Sequence, residues 1–366
     1  LGETSRLASA GRGTVEGRPT VGHHGRPMSD LGPAVRDMAD LQTGSRGLEP
    51  EGGASFRHEP VMAVEVLEAL APCPSGPLLD ATVGGGGHAG LLLDARPDCS
   101  LVGLDRDDLA LRASAERLAP FGDQVVLHRS AFGDLGRALD DLAVGPLSGF
   151  LFDLGVSSPQ LDMADRGFSY REAGPLDMRM DRRQSLTADD VVNGYAEVDL
   201  ARLLTDHADE RHARRIARAV VAARPIRDTS ALADLVRSAI PAPARRRGGH
   251  PAKRTFQAIR IEVNNELGQL AGALDEAIAR LQSGGRGAVL SYHSGEDRIV
   301  KERFDRAATG GCSCSPRLPC ACGATPSAIL PRRSGWTPGT EEAERNPRAA
   351  SARLRVLQRI GTGAGS

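Results

Sequence analysis

The chain has 366 residues, of which 40% are hydrophobic and 25% charged, and its formal net charge is −1. This length exceeds a typical domain of about 100–200 residues, so we expect one large domain with an insertion, or two domains. The composition is that of a soluble protein, and the sequence contains neither an apolar stretch of the ~18 residues that a membrane span needs nor a secretory signal. We therefore expect a cytoplasmic protein without a membrane partner.

The first part of the chain lacks the pattern of a folded domain. Residues 1–55 are rich in Gly, Arg, Ser and Pro and show neither helical nor strand periodicity. Such a segment buries too little apolar surface to offset the entropy lost on ordering. We predict that this N-terminal extension is disordered.

After the extension, helical periodicity alternates with short apolar runs. A helix over 61–71 comes first, and the predicted strands that follow are 78–81, 101–105, 125–128 and 150–154. This alternation predicts βαβ units and a mostly parallel sheet, in which ligands bind beyond the carboxyl ends of the strands. We expect an α/β, Rossmann-like fold with its functional residues along one edge of the sheet.

Four consecutive glycines, Gly84–Gly87, follow the first predicted strand and its last residue, Asp80. Glycine allows the backbone to turn sharply and to approach a ligand closely. Asp105 ends the next strand, where Rossmann-like folds place a carboxylate for ribose hydroxyls. The two features predict an adenosine cofactor, and the glycine spacing fits S-adenosylmethionine or NAD. A purely structural strand-to-helix turn is the alternative.

The fourth predicted strand leads into Asp153-Leu-Gly-Val-Ser-Ser-Pro-Gln160. Methyltransferases that act on exocyclic amines place a short Asp/Asn/Ser-Pro motif at this point. Such an amine is a weak nucleophile, because its lone pair is delocalised into the ring, and the site must position it with hydrogen-bond acceptors. Asp153, Ser157 and Ser158 are the candidates. The alternative is an aspartate that caps a turn or helix.

Strand patterns are absent between residues 162 and 250, where we predict helices over 187–194, 198–208, 210–223 and 229–240. From Arg211 to Arg260, thirteen cationic residues are opposed by only two acidic residues, Asp228 and Asp234. This excess predicts a surface that faces phosphates. The alternative is a solvated helical face paired with acidic residues elsewhere.

The α/β pattern resumes with a predicted long helix over 255–281, a strand over 287–292 and a last edge strand over 353–359. His293 follows the strand and is a candidate acid–base group or contact to the target base, with a structural histidine as the alternative. The predicted parts are a disordered extension (1–55), the first part of the core (56–161), an inserted helical domain for RNA binding (162–250) and the second part of the core with the tail (251–366).

Cysteines form a pair of Cys-x-Cys motifs at Cys312, Cys314, Cys320 and Cys322. Four thiolates are a zinc ligand set, but the usual spacing is Cys-x-x-Cys. The alternative, a loop with free thiols, is the simpler interpretation, so we predict no metal.

Seven blocks of sequence in a fixed order carry a family resemblance. They are His58–Met62 with Glu65, Asp80–His88, Asp153–Gln160, Arg166–Tyr170 with Pro175–Asp181, His250–Asn264, Ser291–Ser294 and Asn346–Arg355. On these blocks the chain resembles the bacterial 16S rRNA cytosine-N4 methyltransferases, the MraW family. The resemblance implies a class I, S-adenosylmethionine-dependent methyltransferase core with an inserted all-helical domain.

The resemblance also implies site residues and a substrate. The S-adenosylmethionine contacts it implies are Gly86, Gly87, His88, Asp105 on the ribose, Phe132 beside the adenine, Asp153 and Gln160. The implied substrate is a cytidine in the decoding region of 16S rRNA, within the small (30S) ribosomal subunit. The sequence does not determine whether the protein forms a homo-oligomer. We expect direct methyl transfer without a covalent intermediate. A non-catalytic RNA-binding or ribosome assembly factor and an NAD-dependent oxidoreductase are the alternatives.

Overall fold

The computed structural model describes residues 60–245, 249–315 and 321–361, without the side chains of Ser158 and Pro159. The extension predicted to be disordered, residues 1–55, lies outside the described residues. So do Arg246 and Arg247 of the basic segment and Cys320 of the second Cys-x-Cys motif.

A seven-stranded sheet forms the centre of the fold. Its strands are β1 (Gly76–Asp80), β2 (Cys99–Asp105), β3 (Val125–Arg129), β4 (Leu147–Asp153), β5 (Leu281–Ser291), β6 (Ala328–Ile329) and β7 (Arg353–Arg359). The order across the sheet is β3-β2-β1-β4-β5-β7-β6. The first five strands are parallel, and β7 runs antiparallel to β5 and β6. This topology confirms the predicted α/β fold of class I methyltransferases.

Some of the helices pack on the two faces of the sheet, and others pack against one another in a helical segment. The helices are α1 (Ala63–Leu70), α2 (Gly87–Ala95), α3 (Asp108–Leu118), α4 (Leu135–Asp141), α5 (Ser158–Asp162), α6 (Glu197–Ala208), α7 (Ala213–Ala222), α8 (Thr229–Ala239), α9 (Ala242–Arg245), α10 (Lys253–Asn264), α11 (Glu266–Arg280), α12 (Ser294–Thr309) and α13 (Thr340–Arg345). In the part of the chain that the structure describes, none of them has both the length and the apolar character needed to cross a membrane.

Apolar residues on both faces of the strands explain the layered packing. Side chains that are adjacent along a strand point to opposite faces. Leu79 and Phe150 accordingly lie in a cluster with residues of α4, α11 and α12. Their neighbours Leu78 and Leu151 lie in a second cluster with residues of α1 and α2. The strands are therefore covered on both faces, as continuous apolar runs predict.

A third apolar core belongs to the helical segment. Side chains of α6, α7 and α8 pack with residues 168–192 in a cluster that includes Phe256, Ile259 and Val263 of α10. The amphipathic periodicity of these helices explains this packing. The boundary at residue 250 stays a prediction, and α10 shares the core of the helices that precede it.

Three predicted elements differ in detail from the structure. The predicted helix over 255–281 is two helices, because Asn265 between them adopts φ of 49°, in the left-handed region. Strand β7 is not the sheet edge that we expected, since the two-residue strand β6 lies outside it. In addition, the predicted helix over 187–194 ends as a π-helical turn, Asp190–Gly194.

Candidate active site

The turn after β1 is built from glycines because its backbone enters the left-handed region twice. Gly84 and Gly86 have φ of 52° and 73°, values that residues with side chains rarely adopt. A Cβ on Gly87 would lie 2.8 Å from Pro60 Cγ, whereas one on Gly85 would meet no described atom within 4 Å. The turn is therefore tightly packed at Gly87 and open at Gly85, where a ligand can approach the backbone.

Carboxyl groups at the ends of β1, β2 and β4 lie close enough to interact. Asp80 is buried beneath the glycine turn and accepts a hydrogen bond from Thr82 N–H at 3.1 Å. Burial raises the pKa of Asp80 to about 8, and the charges of Asp153 and Asp105 contribute to the increase. The sequence-predicted convergence of these strand ends is therefore present in the structure.

Asp105 connects the end of β2 to the glycine turn. Its Oδ2 accepts a hydrogen bond from Gly84 N–H at 3.0 Å, and its Oδ1 accepts one from Asp107 N–H at 2.9 Å. Burial raises the pKa of Asp105 to about 6, so the group is mainly ionised at neutral pH. A carboxylate oxygen has more than one lone pair. Asp105 can therefore accept further hydrogen bonds from ligand hydroxyls.

Asp153, at the end of β4, is held from several sides. Its backbone N–H donates to Thr82 Oγ1 at 2.7 Å, and Tyr292 Oη donates to its Oδ1 at 2.6 Å. Its Oδ2 lies 3.5 Å from His88 Nδ1, while the other ring nitrogen of His88 donates to the carbonyl of Val61 at 2.9 Å. Burial and the negative charge of Asp153 raise the pKa of Tyr292 well above its usual value, so the phenol stays a donor. The result is a carboxylate in a fixed orientation.

Ser157, the first of the two predicted serines, lies beside the glycine turn. A Cβ on Gly84 would be 4.0 Å from Ser157 Cβ. The Oγ of Ser157 is buried and has no hydrogen-bond partner among the described residues. A buried hydroxyl without a partner is uncommon, and it marks a place where a bound molecule would supply one. Nothing is described for the side chain of Ser158.

Gln160 lies in a buried network rather than at an open surface. Its Oε1 accepts from Ser157 N–H at 3.0 Å and its Nε2 donates to Asp107 Oδ2 at 2.9 Å. Arg166 donates to the same oxygen at 2.8 Å and is 1% exposed. The sequence analysis placed Arg166 in a block of the family resemblance, but it assigned a site role neither to Arg166 nor to Asp107. Their signal was weak, because they are 59 residues apart and nothing in either motif identifies the partner.

Phe132 and His293 are placed differently from the other candidates. The Phe132 ring is half-buried against the sheet and meets Phe152 edge to face, with centroids 6.1 Å apart. His293 is the N-cap of α12, where its Nδ1 accepts from Gly295 N–H at 3.2 Å, and its Nε2 lies 3.1 Å from Glu296 Oε1. These contacts give His293 a structural role, and its predicted catalytic role is untested by them.

A polar cleft of about 400 Å³ opens where β2 and β3 end. Arg106 and Ala131, which are next in sequence to Asp105 and Phe132, contribute to its walls. Arg129, also in the wall, pairs with Asp108 at 3.0 Å and with Asp181 at 3.0 Å. The cleft therefore borders Asp105 and Phe132 in sequence, but the residues described in its walls include none of the candidate site residues.

Comparison with known proteins identifies related sequences. Residues 55–360 match the model of the MraW methylase family. The ribosomal RNA small subunit methyltransferase H of Symbiobacterium thermophilum is 49% identical over 314 residues, covering 84% of this chain and 98% of the relative. The protein of the same name from Thermobifida fusca is 50% identical over 315 residues, covering 84% of this chain and 95% of the relative. A solved rRNA methylase from Streptococcus thermophilus is 12% identical with a TM-score of 0.36, covering 81% of this chain and 96% of that one.

Proposed function

The chain belongs to the MraW methylase family, and from this premise we propose that it transfers a methyl group from S-adenosylmethionine to N4 of a cytidine in the decoding region of 16S rRNA. The observation that carries the proposal is the carboxyl edge of the sheet. There the open glycine turn, Asp105 and the fixed carboxylate of Asp153 lie together. The small subunit is the proposed partner, which places the reaction in the cytoplasm.

The residues at this edge fit the cofactor. The backbone is open at Gly85, and helix α2 begins directly after Gly86, so its first N–H groups are available to a ligand. Asp105 is the proposed acceptor for the ribose hydroxyls, and Phe132 the proposed contact for the adenine. The unpartnered Oγ of Ser157 lies beside the same turn. Gln160 then acts by holding the Ser157 backbone in place.

When bound, S-adenosylmethionine supplies an electrophilic methyl group on a sulfonium. The chain's own residues then have to position the weakly nucleophilic cytosine amine. We assign Asp153 as the hydrogen-bond acceptor for the N4 amino group, since the Tyr292 hydroxyl fixes its orientation. The amine loses a proton as it becomes methylated, and Asp153 or water accepts it. The reaction needs no cysteine nucleophile, because the attacking atom is the amine.

Gly86→Ala should weaken the binding of S-adenosylhomocysteine about tenfold, because a side chain at φ of 73° costs about 1–2 kcal/mol, and relief of that strain moves the turn out of the conformation proposed to bind the cofactor. The new Cβ would also lie 3.2 Å from Leu118 Cγ and 3.3 Å from Ser114. Calorimetric titration measures the change. Gly122→Ala is the matched control, since Gly122 also has positive φ, 53°, but a Cβ there meets nothing within 4 Å. Equal affinities for Gly86→Ala and the unchanged chain, or preferential binding of NADH by the latter, would refute the cofactor assignment.

Helix α7 carries three exposed cations of the basic segment. Arg214, Arg215 and Arg218 are exposed on it. Other cations of the segment serve the fold: Arg224 donates to the carbonyl of Val192 at 2.8 Å, and Arg260 forms a buried pair with Glu266 at 2.8 Å. Because Arg211, Arg227 and Lys253 outside α7 are exposed as well, we propose α7 as one part of the rRNA contact and leave out the cations that serve the fold.

Charge reversal on α7 tests this contact. Arg214→Glu with Arg215→Glu should weaken binding to the small subunit and lower the slope of log K against log salt by about 1–2, since each phosphate contact contributes about 0.7–0.9. Filter binding across a salt series measures this slope. The control is Arg112→Glu with Arg117→Glu on α3, also exposed, which should leave the slope unchanged. Equal slopes for both double variants would reject α7 as the contact.

A further inference from the structure

Three thiols come together in the segment between α12 and β6. The sulfur atoms of Cys312, Cys314 and Cys322 all lie within 4.8 Å of one another, and those of Cys312 and Cys322 are 3.5 Å apart. Two of the three, Cys312 and Cys314, are half-buried. The cluster lies outside the elements that form the candidate active site.

These separations match a metal site better than a covalent link. Zinc–sulfur bonds of about 2.3 Å in a tetrahedron place neighbouring sulfurs about 3.8 Å apart. A disulfide requires about 2.05 Å between sulfurs, well below the 3.5 Å observed. We propose that Cys312, Cys314 and Cys322 bind a thiophilic divalent cation, with Zn²⁺ as the expected ion. The thiols bind as thiolates and release their protons to solvent.

The three thiols come from both Cys-x-Cys motifs, which removes the difficulty that this spacing poses for a zinc site. A single Cys-x-Cys motif is a poor tetrahedral chelate, and that spacing favoured free thiols. Folding brings Cys322 against both Cys312 and Cys314, so the site does not depend on one motif alone. Cys320 lies outside the described residues, and the proposal does not require it.

The surroundings of the thiols support a metal ion that holds the segment together. No residue of 310–315 or 321–327 is buried, so the described part of this segment has no apolar core of its own. Metal binding stabilises such segments in place of a core. The N–H of Ala321 also donates to the Cys314 sulfur. Hydrogen bonds to ligand atoms are usual around bound metals.

Metal analysis of the full chain tests the proposal. Protein produced with zinc in the medium and purified with a phosphine reductant, without chelator, should contain about one zinc ion per chain by mass spectrometry of the elements. Cys314→Ser and Cys322→Ser should each lower the zinc content about tenfold or more. Ser313→Ala, an exposed neighbour in the same loop, should retain it. Cobalt titration should give a thiolate-to-cobalt charge-transfer band that Cys314→Ser lacks.

Three results would overturn the proposal. The first is zinc-free wild-type protein that also gives no charge-transfer band with cobalt. The second is a zinc content that neither cysteine variant changes. The third is a mass two hydrogens lower than expected, mapped by peptide analysis to a Cys312–Cys322 disulfide in the protein purified with the phosphine reductant, which would identify a redox pair instead.

Discussion

Asp153→Asn is expected to lower kcat for methyl transfer by about 10²–10⁴-fold, the usual contribution of a positioned acid–base group. The change keeps the size of the side chain and removes its negative charge. The amide also presents one acceptor oxygen instead of two, so the Tyr292 hydroxyl and the substrate amine compete for it. Single-turnover rates with saturating cofactor measure the loss directly.

Two controls accompany this substitution. Tyr292→Phe removes only the hydroxyl that orients Asp153, and we expect a smaller loss of about tenfold, equal to one hydrogen bond of about 1.4 kcal/mol. Asp123→Asn changes an exposed carboxylate in the turn before β3 and should leave the rate unchanged. An Asp153→Asn rate within twofold of the unchanged protein would remove Asp153 from the reaction.

Arg166→Ala is expected to lower the free energy of unfolding by about 3–5 kcal/mol, the effect of breaking a buried ion pair from one side. Arg166 and Asp107 are 1% and 6% exposed, and their atoms are 2.8 Å apart. Removing the guanidinium leaves the Asp107 carboxylate buried with its charge unpaired. It also removes donors from the carbonyls of Arg179 and Met180. Urea unfolding followed by circular dichroism gives the change.

An exposed ion pair provides the comparison. Arg237 and Asp234 are 2.8 Å apart, with 56% and 66% of their side chains exposed. Arg237→Ala should therefore cost no more than about 1 kcal/mol. Because Gln160 also donates to Asp107, Arg166→Ala should weaken cofactor binding as well. Equal unfolding energies for the two variants would show that the buried pair contributes no special stability.

Much of the candidate site was predictable because its signals are local. The apolar runs before Asp80, Asp105 and Asp153 predict parallel strands, and parallel strands end at one edge. The glycine turn needed positive φ at Gly84 and Gly86, which glycine adopts without strain. These features depend on a few neighbouring residues, so a single sequence contains them.

Other features depend on contacts between distant parts of the chain. Asn264 stabilises the break between α10 and α11. Its side-chain oxygen accepts a hydrogen bond from Met180 N–H at 2.9 Å, and its side-chain nitrogen donates one to the Met178 carbonyl at 2.8 Å. Apolar periodicity continues through both helices and conceals the break. Strand β6 has only two residues and exists through its pairing with β7. Neither could be read from the local pattern.

His293 shows the limit of interpreting a residue by its position alone. It follows a strand at the ligand edge, as a catalytic histidine would, yet the structure uses it to cap α12 and to contact Glu296. Burial alone would raise the pKa of Glu296, but His293 and Arg260 lower it overall, so the carboxylate is retained beside the ring. Sequence position could not distinguish this arrangement from an acid–base group.

The most direct test of the proposed reaction is transfer of labelled methyl from S-adenosylmethionine to small ribosomal subunits that lack the modification, followed by digestion to nucleosides. We expect the label in N4-methylcytidine with the unchanged protein, and its appearance about 10²–10⁴-fold more slowly with Asp153→Asn. Cofactor binding without any transfer would contradict the account and favour a non-catalytic RNA-binding factor, and label in a different nucleoside would contradict the assignment of the cytosine amine.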